Sequence, residues 1–241
     1  MKIHRFPVTT STNDEAIRRA REGASEGEVF TADKQTAGRG RLGRLWESPA
    51  GKNVYASFLL RPPLSPAGAV ILTLAGGIAA LETLKKTAPA VSEQLKIKWP
   101  NDVYLGEKKI AGVLTEMEAE GQKVRWVVCG IGMDLNSVPE DFSPEVRKIA
   151  TSLRIAMARD FDRDLVTQTL IKSFERRYLE VLEKGPSSLL QFCSRHSYLN
   201  GKQVRADGIE GTAVGLDPEG FLQVKTDAGL RTVIAGDVSV L

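Results

Sequence analysis

Histidine and cysteine are scarce in this chain of 241 residues, which contains two of each. The cysteines, Cys129 and Cys193, lie far apart and predict neither a disulfide framework nor a cysteine-ligated zinc site. The histidines, His4 and His196, are too few for the clusters that metal-dependent hydrolysis or deamination requires. A Ser-His-Asp triad would depend on one of these two residues, so the sequence argues against such chemistry.

Long unbroken apolar runs are also lacking. No stretch approaches the ~18 to 20 apolar residues of a membrane span, and the start of the chain has no apolar signal-peptide core. The net charge of +3, from 33 basic and 30 acidic residues, is far below the excess expected of a protein that neutralises many phosphates. We therefore expect a cytoplasmic protein that contacts no membrane, and any nucleotide that it binds should be small.

Hydrophobic periodicity predicts an α+β fold in two parts. Short apolar or alternating segments bounded by turn residues predict strands at Ile3–Val8, Val29–Asp33, Val54–Leu60, Leu95–Trp99, Val103–Leu105, Ile110–Met117 and Val124–Asn136. Helical patterns begin at Thr12 and Ser65 and occupy much of 143–194. Turn residues between successive strands imply hairpins, and hence an antiparallel sheet. Beyond residue 194, short strands predict a small all-β barrel or sandwich.

A glycine- and arginine-rich segment, Gln35–Arg44, followed by Trp46, is the most informative part of the sequence. Glycines let the backbone approach a ligand, and arginines form forked hydrogen bonds to phosphate or carboxylate oxygens. The segment therefore suits polyphosphate. It is not a Walker A loop, because no Gly-Lys-Ser/Thr follows. An ordinary arginine-rich surface loop or an RNA-contacting segment would have the same spacing.

Three strand segments contain further candidates. In Leu95–Asp102, Lys98 stands at the end of a strand, where a cation can neutralise charge that develops as a carboxylate attacks phosphorus. In Lys109–Glu116 and Gly130–Asn136, small residues leave room for a flat ligand against the backbone. The ordinary alternatives are a solvated strand face for the lysine and a bulge or a close strand contact for the glycines.

Together these segments resemble the biotin protein ligase family, from Val8 to the C-terminus. Four motifs occur in the family's order and approximate spacing: Ser11-Thr12-Asn13, Gln35–Arg41 with Trp46, Lys98–Asp102 and Lys109–Gly112. The resemblance implies a mixed, largely antiparallel sheet with helices on one side, similar to class II aminoacyl-tRNA synthetase cores, over residues 1–194. A small SH3-like barrel is implied over residues 195–241.

The resemblance also implies roles for individual residues. Biotin would be bound by Ser11, Thr12, Asn13, Gln35, Gly38, Arg39, Lys98, Gly112, Gly130 and Gly132. ATP would be bound by Arg39, Arg41, Trp46, Lys98, Asn101 and Asp134. Lys98, Arg39 and Arg41 would be catalytic, and Gly38–Arg41 would be a mobile loop that orders over the adenylate. Helix capping by Ser11 and Thr12 is compatible with ligand contact.

The implied reaction has two steps. The carboxylate of biotin attacks the α-phosphate of ATP and gives biotinoyl-AMP and pyrophosphate; a lysine of a biotin carboxyl carrier protein then attacks the acyl carbon and expels AMP. Such chemistry needs positioning and charge neutralisation, which agrees with a site of Lys, Arg and backbone amides. Mg²⁺ is expected with ATP, although the sequence names no protein ligands for it. The resemblance also allows a homodimer, because family members often dimerise by aligning sheet edges.

The chain departs from the family pattern at three places. Asp134 stands where the family commonly has Asn, and its extra negative charge near the phosphates would either be offset by Mg²⁺ or point away from them. The chain ends at Leu241, about where some members continue with an arginine that reaches the nucleotide. The winged helix-turn-helix domain of some members is missing, so we expect neither DNA binding nor repression of transcription.

Two other functions compete with biotin ligation as interpretations of the sequence. A lipoate ligase shares the fold and the acyl-adenylate chemistry, but usually has an Arg-Arg-x-Ser-Gly-Gly-Gly segment where this chain has Gln35–Gly43. An RNA-binding module would combine an arginine-glycine loop with an SH3-like barrel. The near-neutral charge and the lack of a series of stacking aromatic residues weigh against it.

Overall fold

A computed structural model describes the whole chain, from Met1 to Leu241. The larger sheet contains seven strands: β1 (Lys2–Thr9), β2 (Glu28–Gln35), β3 (Val54–Leu60), β4 (Leu95–Lys98), β5 (Asp102–Leu105), β6 (Lys108–Glu120) and β7 (Lys123–Met133). Their order across the sheet is β1-β2-β3-β7-β6-β5-β4. Every neighbouring pair is antiparallel except β1 and β2, which are parallel. The predicted mixed, largely antiparallel sheet is therefore confirmed.

Seven helices accompany the strands: α1 (Thr12–Arg21), α2 (Pro66–Ala69), α3 (Ile71–Thr87), α4 (Pro144–Ile149), α5 (Leu153–Met157), α6 (Arg163–Lys184) and α7 (Ser187–Arg195). The long helices α3 and α6 cover one face of the sheet, where Phe58 packs on Phe174 with ring centroids 4.1 Å apart. Helix α1 is the exception to the expected one-sided arrangement. Ala16 and Ala20 of α1 pack with Leu59, which points to the opposite face because strand side chains alternate.

The helical pattern that begins at Ser65 forms α2 and α3, and the chain stays helical between them, because the backbone of Val70 is itself helical (φ −57°, ψ −31°). Ser65 caps its start by accepting a hydrogen bond from the Gly68 amide. A Cβ atom on Gly76 would lie 2.9 Å from Val113 Cγ1, so close packing on β6 explains this helix glycine. Residues 66–87 are long and apolar enough to cross a membrane, yet 72% of their most apolar window is buried in the protein core.

The second sheet is formed by β8 (Gln203–Ala206), β9 (Ile209–Leu216), β10 (Leu222–Thr226), β11 (Gly229–Val233) and β12 (Ser239–Val240). All four neighbouring pairs, in the order β11-β10-β9-β8-β12, are antiparallel. We call this unit the C-terminal barrel, and it is the small all-β unit that the sequence predicts. Its buried residues Val204, Val224 and Val238 belong to the same core cluster as α3 and the larger sheet. The division at 194/195 stays a prediction.

The two edges of the larger sheet differ. Along β4, Ile97 donates its amide to the His196 carbonyl at 2.8 Å, and the Tyr198 amide donates to the Ile97 carbonyl at 2.8 Å. The segment that leads from α7 into the C-terminal barrel therefore covers the edge of β4. Strand β1 forms the other edge and pairs only with β2.

Candidate active site

A cavity of about 760 Å³ opens where the larger sheet, the glycine- and arginine-rich loop and the C-terminal barrel meet. The sequence-predicted residues that line it are Ser11, Thr12, Asn13, Gln35, Arg39, Arg41, Trp46, Lys98, Asn101, Gly112, Gly130, Gly132 and Asp134. Gly38 is the one predicted site residue that does not line the cavity. The fold therefore brings segments that are distant in sequence to one place, while the ligand roles of these residues stay predictions.

One end of the cavity is built from uncharged polar side chains at the start of α1. The Gln35 side-chain oxygen accepts hydrogen bonds from the Thr12 amide at 2.8 Å and the Thr12 hydroxyl at 3.2 Å. Its amide nitrogen donates to Ser48 Oγ at 2.9 Å. Ser57 Oγ lies 2.6 Å from Asn13 Oδ1, to which it donates. The buried network holds these groups in fixed orientations without a net charge.

The glycines of β6 and β7 leave space for side chains that come from other segments of the chain. A Cβ on Gly130 would overlap Asn13 Oδ1, and a Cβ on Gly132 would lie 2.6 Å from Trp46 Cε2. A Cβ on Gly112 would lie 3.0 Å from Trp46 Cζ3. The flat group that lies against Gly112 and Gly132 is thus the Trp46 indole, whose buried N–H has no hydrogen-bond partner. The sequence predicted a flat ligand at these glycines and did not predict this packing.

The glycine- and arginine-rich loop is folded back on itself. The Trp46 amide donates to the Gly38 carbonyl at 2.9 Å, and the Gly40 amide donates to the Arg44 carbonyl at 2.7 Å. A Cβ on Gly38 would lie 2.7 Å from Ser48 Oγ, so a side chain at this position would push the loop away. Gly38 thus shapes the loop although it does not line the cavity.

Arg39 is bound by carboxylates on the α1 side of the cavity. Its guanidinium forms two hydrogen bonds to Glu116, at 2.9 and 2.8 Å, and an ion pair with Asp14 at 2.8 Å. Glu116 also accepts a hydrogen bond from the Asn13 side chain at 2.8 Å. The arginine that was expected to contact substrate anions therefore has two anionic partners in the protein itself.

The other loop arginines contact the C-terminal barrel. Arg41 donates to Asn101 Oδ1 at 3.1 Å and to the Gly236 carbonyl at 3.3 Å. Arg44 forms an ion pair with Asp237, and this arginine is the main reason why the pKa of Asp237 lies below its usual value. Asp237 also lies 4.0 Å from Arg41 and lines the cavity. The barrel is therefore part of the cavity wall.

Two lysines reach the cavity from β4 and β6, which are separated by β5. Lys98 is half-buried at the end of β4, and burial lowers its pKa, while Asp102 and Asp237 act in the opposite direction. Its ammonium donates to Tyr104 Oη at 3.1 Å. Lys109 Nζ forms an ion pair with Asp102 at 2.7 Å. The cavity wall thus contains two ammonium groups, and that of Lys98 has no carboxylate partner, which suits an anionic ligand.

Asp134 lies in the cavity wall and is 3% exposed. Its Oδ1 accepts a hydrogen bond from the Asn53 side chain at 2.8 Å. Burial raises the pKa of Asp134 well above the usual aspartate value, because an isolated carboxylate is poorly solvated in the protein interior. The extra negative charge that distinguishes this position from the family's Asn is therefore disfavoured by the fold.

No group of three or more His, Cys, Asp or Glu residues is arranged to hold a metal ion. The aspartates that line the cavity already have protein partners: Asp102 pairs with Lys109, Asp134 with Asn53, and Asp237 with Arg44. Glu47, whose Oε2 accepts a hydrogen bond from the Ser143 amide at 3.0 Å, is the other acidic residue in the lining, and these four carboxyl groups form no cluster that would hold a resident Mg²⁺ ion.

Known proteins share this architecture. Residues 5–134 match the model of the biotin/lipoate A/B protein ligase family, and residues 201–241 match the biotin protein ligase C-terminal domain. The chain is 37% identical over 237 residues to the bifunctional ligase/repressor BirA of Bacillus subtilis (strain 168), an alignment that covers 97% of this chain and 72% of the relative. The chain belongs to the biotin protein ligase family.

Further relatives support the assignment. The biotin–[acetyl-CoA-carboxylase] ligase of Mycobacterium tuberculosis (strain ATCC 25618 / H37Rv) is 33% identical over 239 residues, covering 95% of this chain and 85% of the relative. The biotin protein ligase from Aquifex aeolicus in complex with biotin and ATP superposes with a TM-score of 0.86 at 30% identity, covering 100% of this chain and 98% of the other. The fold that the sequence predicts for this family member is confirmed.

The sequence did not identify four residues that contact predicted site residues: Tyr104 with Lys98, Lys109 with Trp46, Glu116 with Arg39, and Asp237 with Arg41. Lys109 and Glu116 begin and end a segment that the sequence singled out for its small residues, so both charged residues were usable signals. Asp237 lies 193 residues from Arg44, and no local pattern identifies it.

Proposed function

We propose that the chain is a biotin protein ligase that forms biotinoyl-AMP from biotin and ATP and then transfers biotin to a lysine of a biotin carboxyl carrier protein. The observation that carries this proposal is the composition of one cavity, which combines uncharged hydrogen-bonding groups at one end with lysines and arginines elsewhere. Biotin has a neutral polar ring system and an anionic tail, and ATP supplies further negative charge. The names of the relatives, which refer to biotin and to acetyl-CoA carboxylase, support the same assignment.

The uncharged end suits the ring system of biotin. Ser11, Thr12, Asn13 and Gln35 are all buried, and they offer amide and hydroxyl groups rather than charges. A neutral ureido group needs such donors and acceptors, since a buried polar group without partners costs free energy. We assign the biotin ring to this end, with Gly130 admitting Asn13.

The cationic part suits the reacting groups. A carboxylate oxygen of biotin attacks the α-phosphorus, and the bond to pyrophosphate breaks; Lys98 would stabilise the negative charge that accumulates there. The amine of the acceptor lysine then attacks the acyl carbon, expels AMP and loses a proton. Arg41 and Asn101 would hold the nucleotide, together with Trp46 and Asp134.

Arg39 would bind a substrate anion in competition with protein carboxylates. Glu116 and Asp14 offset the charge of its guanidinium and use three of its five N–H donors, so an incoming carboxylate or phosphate binds most strongly if it replaces one of these anions. The exchange would couple loop movement to ligand arrival, as gating loops require.

Mg²⁺ enters the proposal only as part of the MgATP substrate. The cavity carboxylates have protein partners, and no catalytic step is assigned to a resident metal ion. The cytoplasmic location, the lack of contact with DNA or membranes, and the homodimer are further parts of the proposal. The uncovered edge of β1 favours a dimer, since it offers unpaired backbone groups to a second copy.

The decisive assay is exchange of labelled pyrophosphate into ATP in the presence of biotin, of lipoate or of neither. We expect exchange with biotin only, followed by label transfer when an unmodified carrier domain is added. Preference for lipoate would instead assign the chain to the lipoate branch of the family, and no exchange with either acid would reject the adenylation reaction.

In the same assay, Lys98→Ala should lower the exchange rate by a factor on the order of a hundred or more, because one preorganised charge is worth a few kcal/mol in a transition state. Lys96→Ala is the matched control, since Lys96 lies on the same strand but does not line the cavity. A folded Lys98→Ala variant with near-normal exchange would reject the assignment of Lys98.

A further inference from the structure

The antiparallel pairing of β4 and β5 places a tyrosine beside Lys98. Lys98 lies directly opposite Asp102, and Lys96 lies opposite Tyr104. Residues two apart on a strand share a face, so Tyr104 is the diagonal neighbour of Lys98 on the same face. The side chains meet as this register allows: Lys98 Nζ lies 3.1 Å from Tyr104 Oη and 4.9 Å from the ring centroid.

Tyr104 is the one hydrogen-bond partner of the Lys98 ammonium. No carboxylate lies within 4.0 Å of Lys98 Nζ, because the nearby acids are paired elsewhere, Asp102 with Lys109 and Asp237 with Arg44. A carboxylate partner would offset the positive charge of the lysine. A phenol oxygen orients the ammonium and leaves its charge available to an anion in the cavity.

The Tyr104 ring is held by a second aromatic ring. It packs on Tyr198 with ring centroids 4.8 Å apart and planes inclined by 33°. Tyr198 donates its hydroxyl to Glu107, and Lys202 lies 3.5 Å from the centre of the Tyr198 ring. Because packing holds the ring, the Tyr104 hydroxyl group is removable without loss of the ring's position.

We propose that Tyr104 is the positioning residue for Lys98, holding the ammonium toward the cavity without neutralising it. This inference rests on the proposed function, in which Lys98 stabilises the adenylation transition state. The hydroxyl of Tyr104 accepts from the ammonium, and its own hydrogen has no acceptor in the protein. That hydrogen is therefore free for a ligand oxygen, so Tyr104 adds a second donor beside Lys98 in the cavity that both residues line.

The protonation states agree with this arrangement. Burial raises the pKa of Tyr104, which keeps the phenol neutral, and burial lowers the pKa of Lys98. The phenol oxygen stabilises the ammonium, so its removal should lower the pKa of Lys98 further. Of the charged groups that face Lys98, Asp102 and Asp237 raise its pKa, and both remain in place when Tyr104 is changed.

The test is Tyr104→Phe in the full-length chain, compared with Tyr178→Phe. Tyr178 is a buried tyrosine that donates to Glu26 at 2.9 Å and does not line the cavity. Its variant therefore shows the effect of losing a tyrosine hydroxyl and its hydrogen bond outside the cavity. Tyr104→Phe should lower kcat for biotin-dependent pyrophosphate exchange about ten- to hundredfold, the range expected for a hydrogen bond to a charged group, with a smaller change in KM. Tyr178→Phe should leave kcat unchanged.

The pH profile separates positioning from general destabilisation. In Tyr104→Phe the alkaline limb of kcat/KM should move to lower pH, because Lys98 loses its proton more easily. In a Lys98→Arg background, adding Tyr104→Phe should leave the alkaline limb of kcat/KM where it is, since arginine does not titrate in this pH range. A folded Tyr104→Phe variant with wild-type kcat and a wild-type alkaline limb would overturn the proposal.

NMR titration of the Lys98 side chain gives a readout that needs no activity. The Lys98 pKa should be lower in Tyr104→Phe than in the wild type, and an unchanged pKa would overturn the positioning role. If the wild type shows no biotin-dependent exchange, the proposed function fails, and the NMR titration still decides whether Tyr104 controls Lys98.

Discussion

Asp134 illustrates how burial changes the chemistry of a single side chain. The resemblance marks this position as a carboxylate in place of an expected amide. In the structure the carboxyl group is 3% exposed and accepts a hydrogen bond from Asn53. Burial favours the protonated form of Asp134, which is uncharged and resembles an amide in shape.

We predict that Asp134→Asn stabilises the protein increasingly as the pH rises. The folded-state pKa of Asp134 is raised, so its ionisation costs nothing below the unfolded pKa of about 4 and costs progressively more as the pH rises toward the folded value. The gain in melting temperature should therefore be larger at about pH 8.5 than at about pH 5. An equal gain at both pH values would mean that Asp134 ionises freely in the folded protein.

At the scale of elements, the glycine- and arginine-rich loop connects two parts of the molecule. Arg39 holds it to α1 and β6 through Asp14 and Glu116, while Arg41 and Arg44 hold it to the C-terminal barrel. The loop is therefore not a free surface segment. Its position depends on the barrel as well as on the larger sheet.

We predict that Asp237→Asn releases biotinoyl-AMP up to about fivefold faster than the wild type, because the half-exposed pair with Arg44 is worth no more than about 1 kcal/mol. Stopped-flow or filter-binding measurement of adenylate dissociation checks this, and Asp237→Glu should restore the slower rate. Glu210→Gln, which breaks an exposed barrel pair with Arg205, is the control and should leave the rate unchanged. Identical dissociation from Asp237→Asn and the wild type would mean that the barrel does not hold the loop.

At the scale of the whole molecule, the barrel and the larger sheet share one hydrophobic core. The main cluster of 48 buried residues includes barrel residues as well as α3 and α6. Trp99, next to Lys98, donates its indole N–H to the Gly220 carbonyl of the barrel at 2.9 Å. A shared core of this kind favours unfolding as one cooperative unit.

We therefore predict a single unfolding transition for the full chain, with equal calorimetric and van't Hoff enthalpies. Trp99→Phe removes a buried hydrogen bond across the junction and should lower the unfolding free energy by about 1 to 3 kcal/mol without splitting the transition. Two resolved transitions in the wild type would show that the barrel unfolds independently.

Much of the fold followed from local pattern. Strand β3 was predicted with its observed bounds, Val54–Leu60, since an apolar run between turn residues is a local signal. The position of α1 on the opposite face was not predicted. It depends on how neighbouring elements pack, which hydrophobic periodicity does not encode.

The sequence by itself determined the secondary structure, the order of the motifs and the family, because caps, turns and periodicity are properties of adjacent residues. Only the tertiary structure decided which side chains act together. The Trp46 ring lies on Gly112 and Gly132, and Tyr104 binds Lys98 across two strands. The energy of a charge or a hydrogen bond depends on burial and on partners from distant segments, and folding alone sets both.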